Sequence, residues 1–142
     1  MKIIIVSEYD LIASCQKKVF LDILGTDRVN VVRLSHSQLR HSQSTLLLES
    51  ADVIFYDMDS TTKSAVQQFE AMIFLIENIC AGQSSSLLLT STEQQLKGLP
   101  IIPITDDSLI LKPFSLLTLK QFIKEKTVNI LNKSNARDAE QI

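Results

Sequence analysis

The sequence predicts an α/β fold in which helices cover both faces of a parallel sheet. Apolar runs too short for buried helices recur along the chain, and polar residues end them in segments 53–57, 87–90 and 109–112. Such runs are typical of strands that are buried on both sides. Segments with helical periodicity separate the runs, so β and α elements alternate along the chain.

The first half of the chain contains three predicted strands and two predicted helices. They are expected at 2–6 (strand), 10–24 (helix), 28–34 (strand), 35–48 (helix) and 52–56 (strand). Asp10 is the predicted N-cap of the first helix and Gly25 its end. Leu11, Cys15 and Phe20 are predicted on the core-facing side of this helix.

The second half continues the alternation but has an irregular fourth helix. We predict a helix at 65–80 that Ala81-Gly82 stops, strands at 87–89 and 109–111, and a helix after Ser115 to about residue 131. Gly98, Pro100 and Pro103 interrupt the expected fourth helix, and an interior proline costs about 3 kcal/mol. We expect one turn at 93–97 and an extended piece at 99–104. Right-handed crossovers then give a doubly wound three-layer sandwich with five parallel strands in the order 2-1-3-4-5, the flavodoxin-like arrangement.

Length and composition indicate one domain, at 1–132, followed by a polar tail or start of a linker at 133–142. The tail is expected to be a frayed helix end or disordered. No long uncharged apolar segment is present among 142 residues, and the apolar run after Lys2 is too short for a signal peptide, so we expect a cytoplasmic protein without membrane contact. A net charge of -2 with scattered Lys and Arg argues against direct nucleic-acid binding.

The spacing of the cysteines, histidines and glycines predicts no metal, disulfide or nucleotide site. Cys15 and Cys80 lie far apart in different predicted helices, so reduced, packed thiols are favoured over a disulfide or metal site. His36 and His41 fall on different faces of a weak helix and are interpreted as solvated surface residues. The three glycines fit no phosphate-binding turn between a strand and a helix, which argues against a nucleotide site.

Three polar residues end predicted strands three, four and five. They are Asp57, Thr90 and Lys112. Parallel strands bring their carboxyl ends to one edge of the sheet, where ligands bind in open α/β folds. We therefore expect a carboxylate, a hydroxyl and an ammonium group to converge on one site.

These residues, together with the acid-apolar run from Asp52 and the Lys112-Pro113-Phe114 triplet, resemble the response-regulator receiver domain. The resemblance extends from Lys2 to about residue 131. It implies that Asp57 accepts a phosphoryl group, that Thr90 is the switch hydroxyl and that Lys112 contacts the phosphoryl oxygens. It also implies a cis Lys112-Pro113 bond, Mg²⁺ as cofactor, and a histidine kinase or phosphotransfer protein as partner. A homodimer is a further option.

The sequence departs from the receiver pattern where the metal should bind. Receivers carry two adjacent acids after the first strand, whereas this chain has Ser7-Glu8. The expected metal ligands are Glu8, Asp57 and Asp59. Asp59 would either partly restore the charge that Ser7 lacks or repel an incoming phosphoryl group. Because Mg²⁺ relies on one or two carboxylates plus waters, the missing charge should weaken its binding.

Three functions therefore stay open. The first is a two-component receiver that takes a phosphoryl group on Asp57 and signals by conformational change through its fourth helix, fifth strand and fifth helix. The alternative is a degenerate receiver that acts, without phosphorylation, as a protein-interaction or dimerisation module. A flavin or small-ligand binder on the same fold is the third. The residues do not support turnover of a separate substrate, so an enzyme is not predicted.

Overall fold

The computed structural model describes residues 1–40, 42–58, 64–80 and 86–140, with the backbone alone at 40, 42–44 and 129–140. Its strands are β1 Lys2–Val6, β2 Asn30–Leu34, β3 Val53–Asp57, β4 Ser86–Thr92 and β5 Leu109–Lys112. Its α-helices are α1 Asp10–Leu24, α2 Ser42–Glu49, α3 Ala65–Phe74, α4 Glu93–Lys97 and α5 Leu116–Glu140. Two short 3₁₀ helices, His36–Arg40 and Asp106–Ser108, precede α2 and β5, and α3 continues as a π-helical turn at Leu75–Cys80.

The five strands form one parallel sheet in the order β2-β1-β3-β4-β5. This order confirms the predicted flavodoxin-like arrangement. The shared register of β1 and β3 ends at Val6 and Tyr56, while β3 continues beside β4 to the pair Asp57 and Thr90. The carboxyl end of β3 therefore lies between two neighbouring strands at the centre of the sheet.

Two apolar cores lie on opposite faces of the sheet. Ile3 and Ile5 belong to the core under α1 and α5, whereas Ile4 and Val6 belong to the core under α2 and α3. This alternation follows from the two-residue period of a strand. Residues of β3 contribute to both cores, and Val53–Phe55 are fully buried. Burial of each such side chain stabilises the fold by about 1.5–3 kcal/mol, so β3 is firmly held in the interior.

Helix α1 has the predicted bounds but a different buried face. Tyr9, not Asp10, occupies the N-cap position, and the Asp10 carboxylate pairs with Arg33 instead of capping the helix. Its buried residues are Ala13, Gln16, Val19, Phe20 and Leu24. At about 100° per residue, Leu11 and Cys15 point away from that face. The prediction for these two residues was wrong, and Leu11 is 77% exposed.

Helix α4 is the short turn that the sequence predicts. It begins with a capping box in which Thr92 Oγ1 accepts from the Gln95 N–H and Gln95 Oε1 accepts from the Thr92 N–H. Gly98 and the following prolines stop it after five residues. In the predicted extended piece Leu99 packs into the core, whereas Ile101 is 64% exposed.

Helix α5 is longer than predicted. The expected end was near residue 131, but the backbone remains helical to Glu140. No glycine or proline lies between Leu116 and Glu140 to stop it, and the backbone of 133–140, predicted as a frayed helix end or a disordered tail, is helical. Ser115 caps the helix as predicted, since its Oγ accepts from the Thr118 N–H at 3.1 Å. No helix among the described residues is both long and apolar enough to cross a lipid bilayer.

Other predicted boundaries also moved. β2 begins at residue 30 rather than 28, β3 includes Asp57, β4 extends over 86–92 rather than 87–89, and the second helix is split into a 3₁₀ turn and α2. The predicted stop of the third helix, Ala81-Gly82, lies outside the described residues. These shifts move Asp57 and Thr90 into the sheet itself, which fixes their backbones by strand pairing.

Candidate functional site

Asp57 is the last residue of β3, and its side chain is 5% exposed. A buried carboxylate is costly unless hydrogen bonds and opposite charges compensate its lost hydration. The neighbouring strands supply both kinds of partner. The Asp57 site, as we use the term, consists of Asp57 and the side chains that contact its carboxylate: Ser7, Thr90 and Lys112.

Thr90 and Lys112 both contact the same Asp57 oxygen. Thr90 Oγ1 donates a hydrogen bond to Asp57 Oδ1 at 2.6 Å, and Lys112 Nζ forms an ion pair with that oxygen. Thr90 is fully buried, whereas the Lys112 side chain is 27% exposed. The predicted convergence of these three residues is confirmed, and the Lys112-Pro113 bond is cis as expected.

Ser7 contacts the other Asp57 oxygen. It directly follows β1, is fully buried, and its Oγ donates to Asp57 Oδ2 at 3.3 Å. Ser7 lacks the negative charge of the receiver pattern, but it supplies a hydrogen-bond donor. Both carboxylate oxygens of Asp57 are thus satisfied by side chains of this chain.

Glu8 lies next to the site but points toward the segment after β2. Its Oε2 accepts from the His36 N–H at 3.2 Å, and its main-chain oxygen accepts from Arg33 Nη2 at 2.8 Å. Arg33 also donates from Nε to the Ser7 main-chain oxygen at 3.1 Å. These bonds hold the Ser7-Glu8 turn against β2.

The oxygen donors present match the chemistry of Mg²⁺, although the arrangement is not that of a formed metal centre. Glu8 and Asp57 offer carboxylate oxygens, which hard cations prefer. Within the described ranges no three His, Cys, Asp or Glu side chains are grouped as a metal site. Asp59, the third predicted ligand, lies outside the described residues. A cation that used Asp57 would have to compete with the bonds from Ser7, Thr90 and Lys112.

The turn after Asp57 is held by main-chain contacts. Met58 O accepts from Lys112 Nζ and from Gln95 Nε2, both at 3.3 Å, and the Met58 N–H donates to Thr90 O at 3.0 Å. The sequence led to no prediction for Gln95. The Thr92-x-x-Gln95 capping pattern was the signal that could have placed it at this edge.

His36 is buried beside Asp57, so its interpretation as a surface residue was wrong. Its Nε2 lies 2.8 Å from the main-chain oxygen of Asp57, and its Nδ1 lies 3.1 Å from Tyr56 Oη. The His36 and Tyr56 rings meet edge to face, 4.9 Å between centroids. Like the predicted site residues, His36 follows a strand closely, which is the signal that was missed. His41 lies outside the described residues.

The two thiols differ in exposure. Both cysteines are free; Cys15 is exposed on α1 and Cys80 is half-buried. Burial raises the pKa of the Cys80 thiol. The expectation of a packed thiol therefore fails for Cys15, which points away from the buried face of α1.

No protein-family model matches the chain, and no curated protein matches it significantly.

Proposed function

We propose that this protein is a receiver module whose Asp57 takes a phosphoryl group from a histidine kinase or a phosphotransfer protein. The observation that carries the proposal is the contact of Lys112 and Thr90 with one oxygen of the buried Asp57 carboxylate. A nucleophilic carboxylate needs a neighbouring cation to offset the charge that arrives with the phosphoryl group. Lys112 supplies that cation, and its partly exposed side chain lies on the accessible side of the site.

In this reaction a carboxylate oxygen of Asp57 attacks the phosphorus of a phosphohistidine. The P–O bond forms as the P–N bond breaks, and the leaving imidazole nitrogen takes up a proton. The Lys112 ammonium then pairs with the phosphoryl oxygens. The Thr90 hydroxyl, now bonded to Asp57 Oδ1, turns to donate to the phosphoryl group. Mg²⁺, when held by Glu8 and Asp57, supplies further charge neutralisation.

The experiment is phosphorylation by a small-molecule donor. The wild-type chain is treated with acetyl phosphate and Mg²⁺, and intact mass spectrometry measures the fraction that carries one phosphoryl group. We expect a single modification, lost in Asp57→Asn and retained in Asp27→Asn, which alters an exposed loop aspartate. Absence of modification, or its retention in Asp57→Asn, would contradict the proposal.

A second function is favoured by one observation. Ser7 replaces an acid of the receiver pattern and donates to Asp57, so the carboxylate is fully bonded by Ser7, Thr90 and Lys112 without a metal ion. We propose as the alternative a module that binds a protein partner independently of phosphorylation. Amide NMR spectra unchanged by millimolar Mg²⁺ and beryllofluoride, a phosphoryl mimic, would favour this alternative. Shifts at Glu8, Asp57, Thr90 and Lys112 would favour the receiver.

Both proposals include contact with another protein, and we propose the exposed apolar side chains of β5 and α5 as the contact surface of a homodimer. Leu111, Leu116 and Leu117 are 40%, 60% and 65% exposed there. Sedimentation of the wild type with and without beryllofluoride measures the association. We expect Leu117→Glu to weaken it and Val66→Glu, at an exposed apolar position of α3, to leave it unchanged. Equal association of both variants would exclude this face.

A further inference from the structure

One of the two partners of the His36 ring decides where a hydrogen must lie. The main-chain oxygen of Asp57 can only accept a hydrogen bond, so Nε2, 2.8 Å away, must carry the hydrogen. A neutral ring then has a bare Nδ1, which accepts from the Tyr56 hydroxyl at 3.1 Å. The hydrogen bond to Asp57 thus assigns a hydrogen to Nε2, and the neutral form of the ring with that hydrogen is the Nε2–H tautomer.

His36 lies where the sheet pairing ends. The register of β1 and β3 stops at Val6 and Tyr56, one residue before Asp57. The His36 ring contacts the main chain of Asp57 just past that point, and its N–H donates to Glu8 Oε2 at 3.2 Å. A single residue, His36, therefore contacts both Glu8, which follows β1, and Asp57, which ends β3.

We propose that His36 is a positioning residue for Asp57, acting through the hydrogen bond from its Nε2–H to the Asp57 main-chain oxygen. The inference rests on the proposed function, because it concerns the placement of the phosphoacceptor. The ring fixes the peptide unit from which the carboxylate projects, and the His36 N–H fixes the side chain of Glu8. The same peptide unit is also held by the hydrogen bond from the Met58 N–H to Thr90 O, so loss of the ring hydrogen bond allows the Asp57 carbonyl to tilt about that remaining contact. A displacement near 1 Å reduces the rates of positioned reactions by as much as about 100-fold.

Two substitutions distinguish the role of Nε2 from that of Nδ1 in the His36 ring. The amide nitrogen of His36→Gln reaches the position of Nε2 and can donate to Asp57. His36→Asn, one methylene shorter, reaches only the position of Nδ1. We expect His36→Asn to react with acetyl phosphate about 10- to 100-fold more slowly than the wild type, and His36→Gln to recover most of the rate. Rescue by one amide and not by the other would not follow from a purely structural role.

The measured rates distinguish failure of the positioning role from failure of the proposed function. If the wild type reacts and His36→Asn reacts at the same rate, the positioning role is overturned while the phosphoacceptor stands. If the wild type takes no phosphoryl group, both fail. Equal slowing in His36→Gln and His36→Asn also overturns the positioning role.

A spectroscopic measurement covers the case in which His36→Asn does not fold. Nitrogen-15 spectra of the wild-type imidazole distinguish a protonated from a bare ring nitrogen. A protonated Nε2 beside a bare Nδ1 supports the inference. The opposite tautomer of His36 overturns it, because the bond to Asp57 would then lack its hydrogen.

Discussion

The missing acid after β1 can be restored by Ser7→Asp. Ser7 is fully buried and its Oγ lies 3.3 Å from Asp57 Oδ2, so the new carboxylate would face the existing one closely. Two like charges about 4 Å apart repel by about 4 kcal/mol at an effective dielectric constant of 20. Protonating an ordinary carboxylate at pH 7 costs about 4 kcal/mol of free energy. The repulsion cannot destabilise the fold by more than this, because one of the two carboxylates would then take up a proton. Attraction to Lys112 offsets part of the repulsion.

We therefore expect Ser7→Asp to lower the free energy of unfolding by about 2–4 kcal/mol in the absence of divalent cations. The melting temperature should fall by about 10 °C. Ser7→Asn is the matched control, because it adds nearly the same volume without the charge. Thermal unfolding of the two variants, followed by circular dichroism, then isolates the effect of the charge from that of the added atoms.

Mg²⁺ should reverse the loss selectively. A cation held between residue 7 and Asp57 stabilises the folded state by about 2.7 kcal/mol at a free concentration 100 times its Kd. The melting temperature of Ser7→Asp should rise with Mg²⁺ much more than that of Ser7→Asn. The reasoning is refuted if the two variants melt together without cation, or if Mg²⁺ raises both melting temperatures equally.

Three further predictions concern residues outside the Asp57 site. Gly25 has φ +86° with open space around its missing Cβ, so Gly25→Ala should lower the free energy of unfolding by about 1–3 kcal/mol through backbone strain alone, measured by urea unfolding. Cys15 should react with iodoacetamide faster than Cys80, because burial raises the pKa of the Cys80 thiol; peptide mass spectrometry of a time course would show equal rates if this is wrong. The pKa of Asp107 is lowered chiefly by a hydrogen bond from Thr105, so its ionised form stabilises the fold above the ordinary aspartate pKa and this contribution is lost as pH falls through the lowered value. The melting temperature of Asp107→Asn should thus lie below that of the wild type at pH 7, and the two should become equal below about pH 4. A difference in melting temperature that persists below about pH 4 would contradict this role of Asp107.

The fold was predictable because its signals are local. Each buried strand is an apolar run of a few residues, and the glycine and prolines after residue 97 stop α4 where the sequence analysis expected. The convergence of Asp57, Thr90 and Lys112 also followed, since strand order and strand ends suffice to bring them together. Neither step needed knowledge of how particular side chains pack.

The errors arise where burial depends on distant residues. Leu11 was placed on the core face because it is apolar, yet the orientation of α1 is set by Phe20 packing against Phe55, with ring centroids 5.3 Å apart. His36 was placed at the surface because histidine is polar and its segment weakly helical. Its partners Tyr56 and Asp57 lie some twenty residues away, so only the folded structure reveals that the ring is satisfied inside.

The groups around Asp57 come from the carboxyl ends of the strands and from the residues that directly follow them. Ser7 follows β1, Thr90 lies in β4, Lys112 ends β5 and His36 follows β2, so the segments of four strands each bring one group to Asp57 at the end of the fifth. Strand pairing fixes where these groups lie, and a substitution such as Ser7→Asp changes the charge at the site more than its geometry. The two proposed functions therefore differ in one physical quantity, the negative charge available to hold a cation beside Asp57. A receiver in which Ser7 is tolerated must draw that charge from Glu8 or from the segment after Met58, whereas an interaction module has no need of it.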